Sequence, residues 1–178
     1  MYIAGIDPGL SGAFAVLDQH GMPVSTGVLR TIEYKKRKLV DAVHLHTALL
    51  PFPGLTVIED VSVRPGQGVT SSGNFMKATG TVFGVASIHG NVVWITPLQW
   101  KKFWNLLTQS KDASRTKAIE VFGKKSEHLF TPKRKHLTKR QAQDTAEAAL
   151  IARWYVETRG KKVSGLLVGG KQTGLVEA

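Results

Sequence analysis

Four acidic residues have the type, setting and spacing to do chemistry together. Asp7 follows an apolar run beginning at residue 2 and precedes Pro8-Gly9. A residue before proline is pushed into extended backbone, so Asp7 is expected at the end of a buried strand, its carboxylate held at the edge of a sheet. An Asx turn into Pro8-Gly9 is the plainer reading of the same residues. Glu59 and Asp60 close the apolar run 55–58. Successive strand residues face opposite sides, so only one of the pair shares a side with Asp7, and Glu59 is our choice; two solvated acids at a strand end are the alternative. Asp144 and Glu147 lie three apart on a predicted helix and project from one face, together with Ala148, Ile151 and Tyr155. Acids on an inward face need cations or metal to compensate them. Near a helix N-terminus the macrodipole alone would favour such a pair by under about 1 kcal/mol.

Mg²⁺ gives the four a common purpose. It takes oxygen ligands, keeps part of its water, and bridges carboxylates to substrate phosphate. Two such ions about 4 Å apart activate water and stabilise the leaving oxygen in phosphodiester hydrolysis. Two Mg²⁺ per site, with Mn²⁺ as a substitute, is therefore the expected cofactor. No small-molecule cofactor is expected.

The elements that must position these acids are legible in outline. Residues 2–7 read as a buried strand, and residues 11–18 and 22–30 as two more around Gly21, an antiparallel meander. Residues 35–50 carry Leu39, Val43 and Leu50 with bases in the first turn, which suggests an amphipathic helix closed by Pro51 and Pro53. A strand returns at 55–61. Residues 64–73, rich in Gly, Ser and Thr, read as a mobile loop before a helix reaching about residue 88. Residues 92–95 form a short strand, Pro97 opens a helix carrying Trp100 and Trp104, and residues 113–122 form another. Residues 124–140 are basic and loosely patterned. Thr138 caps a final helix that runs to about residue 158 and ends at Gly160. The sum is an α/β domain over residues 1–159, a mixed sheet covered by helices, with a C-terminal extension at 160–178 whose role is not readable.

The chain has 178 residues, 24 Lys and Arg against 13 Asp and Glu, and a net charge of +11, so its partner is expected to be acidic. Of nucleic acid and anionic membrane, nucleic acid is preferred: no stretch approaches the roughly 20 apolar residues that span a bilayer. The first residues lack a charged leader region and a cleavage pattern, which points to a cytoplasm-like compartment. Zero cysteines exclude disulfides, thiolate zinc sites and cysteine nucleophiles. Ser71 and Ser72 lack a His-Asp constellation, and His44 and His46, two apart on a helix, point away from each other.

Gly5-Ile6-Asp7-Pro8-Gly9, then Val57-Ile58-Glu59, then Asp144-Thr145-Ala146-Glu147-Ala148 resembles the RuvC family of Holliday junction resolvases. The likeness covers about residues 1–155. Pro65-Gly66-Gln67-Gly68-Val69, and Thr96-Pro97 through Trp100-Lys101, resemble segments of its phage and prophage members. The resemblance implies a retroviral-integrase-like RNase H fold and Asp7, Glu59, Asp144 and Glu147 as catalytic metal ligands. It also implies a homodimer that nicks paired strands of branched, four-way DNA. The last acid is Glu147 where bacterial members usually carry Asp. Ser62 stands where they carry an aromatic wedge, for which Phe75 or Arg64 is the candidate replacement.

Lys101, Lys111 and Arg115 resemble the family's basic residues near the active site. Lys133, Arg134, Lys135, Lys139 and Arg140 lead into the helix of Asp144 and Glu147, so phosphate held by them would lie beside the acids. A solvated loop is the alternative, as it is for the second basic run at 35–38. Trp100 and Trp104 fit the core better than base stacking. Two competing functions stand beside the nuclease: a catalytically weak or inactive branched-DNA-binding module of the same fold, and an actin-like ATPase. The second needs a far longer chain and a second Gly-rich phosphate loop.

Overall fold

A computed structural model of the chain describes residues 1–61, 66, 68–110, 112–132 and 137–158. Expectations for Ser62, Arg64, Lys111, Lys133, Arg134, Lys135, Gly160 and the extension at 160–178 lie outside them.

β1 (Tyr2–Asp7), β2 (Ala13–Leu17) and β3 (Pro23–Val28) form the expected antiparallel meander. After a separate hairpin of β4 (Thr31–Tyr34) and β5 (Arg37–Val40) come α1 (Ala42–Leu49), β6 (Gly54–Glu59), α2 (Val69–His89) and β7 (Val92–Ile95). α3 (Pro97–Phe103), α4 (Ala113–Phe122), a 3-10 turn (Lys124–Ser126), α5 (Glu127–Phe130) and α6 (Lys139–Thr158) complete the order. The main sheet runs β3-β2-β1-β6-β7, with β6 parallel to both β1 and β7. It is the mixed α/β sheet flanked by helices that the sequence led us to expect.

Strand alternation divides the core in two. Ile3, Ala15, Val57 and Ile95 face α6 and its neighbours α3, α4 and α5, whereas Ala4, Ile6, Val16 and Ile58 face α1 and α2. Asp7 and Glu59 continue the first series, so both end their strands on the α6 side. Gly5 sets how closely α6 approaches: a Cβ there would collide with the Ala148 carbonyl and crowd Ala152. From Gly5 to Asp7 and from Ala148 back to Asp144 are both steps of roughly 6 Å, so the antiparallel helix carries its acids over the end of β1. Thr138 and Gln141 close the reciprocal cap that starts α6, as expected of Thr138.

Two local expectations are corrected. Residues 35–50 are not one helix: the first part is the β4–β5 hairpin, and α1 starts after Asp41, whose side chain accepts from the His44 N–H at 2.9 Å. Four successive bases in a first helical turn would oppose the macrodipole, while Asp41 is a good cap. Leu45 and Leu49 are the buried residues of α1, and Val43 and Leu50 are exposed. The loop expected at 64–73 gives way to helix from Val69, because the buried stripe Ala78, Val82, Val85 and Ala86 outweighs the weak helix propensity of its Gly, Ser and Thr.

The hairpin turns on Lys35-Lys36, with φ of 47° and 62°. Two left-handed residues make the tight turn that fits strand twist, a place that favours Asn-Gly. Lysine there costs roughly 1 kcal/mol or more per residue.

Candidate active site

The four carboxylates meet at one end of the sheet, supplied by the ends of β1 and β6 and by the first half of α6. Glu59 is buried and accepts a 2.8 Å hydrogen bond from the Trp100 indole N–H, whereas Asp60 is exposed. Glu147 Oε1 accepts from the Ser114 hydroxyl at 2.9 Å and from the Gln143 amide at 3.2 Å. Its other oxygen lies 4.0 Å from Lys101 Nζ, which also sits 5.0 Å from the centre of the Trp100 ring.

Crowding of like charge shows in the acidities. Burial raises Asp7 well above the usual carboxylate range, and Glu59, Glu147 and Asp144 add to the rise while Lys101 opposes it. Burial also raises Glu59, against the Trp100 hydrogen bond and Lys101, with Glu147 adding to the rise. Asp144 is pushed up to about 6 by burial and by Glu147, with Arg140 pulling the other way. Its Oδ2 is buried without a hydrogen-bond partner, and the Arg140 guanidinium stands off at 3.8 Å. An acid set held so unfavourably fits a hard divalent cation, which takes carboxylate oxygen and supplies the missing charge. Among the described residues no three such side chains already stand as a finished cage. A divalent cation bound there would offset their mutual repulsion.

The basic residues divide. Lys101 joins the acids directly. Arg140 and Lys139 line a groove of about 530 Å³ with Asp112, Gln143 and Asp144, and Lys139 pairs with Asp112 at 2.7 Å. Arg115 is turned to structural use: its Nε donates to the Phe130 carbonyl at 2.9 Å, tying α4 to the end of α5.

Sequence reasoning missed Trp100, Ser114 and Gln143 as partners of the acids. Gln143 and Glu147 are four apart on one helix, and Ser114 shares the stripe of Ala118 and Phe122, so both carried a signal. Trp100 was expected in the core and is fully buried there. Its bond to Glu59, 41 residues away, had no local signal.

A mixed five-stranded sheet flanked by helices in this order is the RNase H-like fold. Within that class the chain is similar to Thermus thermophilus RuvC in complex with a Holliday junction substrate, with a TM-score of 0.62 and 16% identity over 89% of this chain and 97% of that one. A second Thermus thermophilus RuvC structure gives 0.59 and 20% identity over 89% and 96%. The yeast mitochondrial Holliday junction resolvase Ydc2 gives 0.57 and 15% over 86% and 77%. No family model and no curated protein matches the sequence. At these identities the likeness is one of fold.

Proposed function

We propose that the chain is a divalent-metal-dependent, structure-selective endonuclease that nicks four-way DNA junctions. The observation that carries the reading is the convergence of Asp7, Glu59, Asp144 and Glu147 from three elements onto one sheet end. The fold, in which a similar structure holds a Holliday junction substrate, agrees with it.

Asp7, Glu59, Asp144 and Glu147 would hold the metal, Mg²⁺ with Mn²⁺ as substitute. Bound there, two ions would offset the acids' charge and supply Lewis acidity for phosphodiester hydrolysis. The protein's own side chains prepare the place. Trp100 fixes the orientation of Glu59, Ser114 and Gln143 fix that of Glu147, and Gly5 lets α6 approach β1. Lys101, Lys139 and Arg140 present positive charge to a phosphate entering beside the acids; Lys111, Lys133, Arg134 and Lys135 extend that role in our reading of the sequence.

A homodimer fits α2, whose Met76, Gly80, Phe83, Gly84 and Ser87 form one stripe. Met76 and Phe83 are exposed there, and the glycines leave open space for close approach of a second copy. No described helix is long and apolar enough to cross a membrane.

Glu147, one methylene longer than the Asp that bacterial members of the resembled family usually carry, is the ground for a second reading, a junction-binding module without cleavage. One assay separates the two. Labelled four-way junction, fork, RNA–DNA hybrid and linear duplex are incubated with the protein in Mg²⁺ or in chelator. Metal-dependent nicking confined to branched DNA is the expected result; binding without nicking in Mg²⁺ would select the module.

A further inference from the structure

The second basic run, at 35–38, takes no part in the site described above, yet it builds a groove. Lys36, Arg37 and Lys38 of the hairpin line a cleft of about 500 Å³ together with Lys77 and Asn74 of α2 and Leu10. The hairpin lysines, Arg37 and Lys77 are exposed, and among the described residues none of the four cations forms an ion pair. Glu33 is the nearest acid in register, opposite Lys38 across the hairpin, and it does not pair with it. Uncompensated like charges held together on a folded surface repel unless a polyanion covers them.

Two further observations point to a ligand. The tight turn carries Lys35-Lys36 in left-handed conformation, where Asn-Gly would cost less. Strain of that kind persists where the strained side chains have a use, and for Lys36 the use at hand is the groove. The groove also lies near the acid site along the chain. Leu10 lies three residues after Asp7, in the turn between β1 and β2. Asp7 faces α6, and the groove opens on the α2 side of the same sheet end. A ligand long enough to cross that turn would touch both.

We propose that this groove binds the phosphate backbone of a DNA arm adjacent to the strand presented to the acids. Lysines supply mobile point charges, Arg37 a planar fork for phosphate oxygen, and Asn74 a neutral donor, a set that holds backbone without reading bases. A concave channel beside the turn that follows Asp7 suits a duplex arm better than a flat lipid surface. The inference rests on the nuclease reading only in taking its polyanion to be DNA.

The test measures binding of labelled four-way junction and linear duplex to the full chain, in chelator, over a range of salt. Two variants are used: Lys35→Asn with Lys36→Gly, which gives the turn its preferred residues, and Lys38→Gln with Lys77→Gln. Each lost phosphate contact lowers the slope of log affinity against log salt by about 0.9, which is about eightfold in affinity at 0.1 M salt. The turn variant is expected to lose about that much while melting at or above the wild-type temperature, a combination that misfolding does not produce. The second variant is expected to lose about twice the slope. Unchanged slopes in both variants overturn the proposal, and if the wild type still nicks junctions they leave the nuclease reading intact. Reduced slopes in a protein that nicks nothing uphold the groove and sink the nuclease. Loss of binding to phosphatidylglycerol vesicles with DNA slopes intact would assign the groove to a membrane and overturn it.

Discussion

Asp144→Asn should stabilise the metal-free protein while destroying the proposed activity. In the folded chain the Asp144 carboxyl titrates at about 6, against 3.8 in the unfolded chain. The sign follows directly. Between about pH 4 and pH 6 the folded state holds a proton that the unfolded state has released, so stability falls as pH rises through that window and the deficit is complete above it. The shift corresponds to about 3 kcal/mol. The side chain is only 13% exposed, so solvent screening does not erase it. Asparagine removes the charge and keeps the shape. The opposing pull of Arg140 is already contained in that shift. The net gain is therefore about 3 kcal/mol, or about 6–12 °C in melting temperature for a chain of this size. Melting of both proteins from pH 4.5 to 8 without divalent ions measures it. The variant should lead above pH 6, and the lead should close as pH falls toward 4. Added Mg²⁺ should raise the wild type more than the variant. A variant that melts at or below the wild type at pH 7.5 would refute the account of a strained acid cluster awaiting a cation.

Glu147→Gln should reduce junction nicking severely while Glu147→Asp retains partial activity, because Mg²⁺ tolerates displaced ligands poorly; near-normal nicking by the Gln variant would remove Glu147 from the ligands. Trp100→Phe deletes the donor that holds down the pKa of Glu59, so the acid limb of the pH–rate profile should move to higher pH, with about 1–3 kcal/mol lost in stability, and an unmoved limb would separate Glu59 from the chemistry. Gly5→Ala forces β1 and α6 apart at the Ala148 carbonyl, so chemical denaturation should show a loss of about 1–3 kcal/mol and nicking should fall with it; a variant of wild-type stability would contradict the close approach that aligns the acids.

The acids were legible because each had a local reason to be where it is. Proline extends Asp7, strand parity selects Glu59 over Asp60, and helical spacing puts Asp144 beside Glu147. What escaped had non-local causes. Nothing near residue 35 announces a hairpin, since its strands are short, mostly exposed and pair only with each other. The helical reading of that stretch rested on Leu39, Val43 and Leu50, of which the structure leaves Val43 and Leu50 in solvent. The start of α2 was hidden by Gly, Ser and Thr, whose low propensity is overridden by packing further along the same helix. The Trp100–Glu59 bond joins α3 to β6 and exists only once β7 has brought the two together.

The central claim is that the converging carboxylates hold divalent metal for phosphodiester cleavage, and Asp7 is its sharpest point. Nicking of a labelled four-way junction should be measured for wild type and Asp7→Asn in Mg²⁺, at protein concentrations that give equal bound fractions. The account predicts nicking by the wild type, none by the variant, and undiminished junction binding by both, because the amide removes a ligand charge and leaves the basic contacts in place. Nicking by Asp7→Asn at the wild-type rate would contradict it.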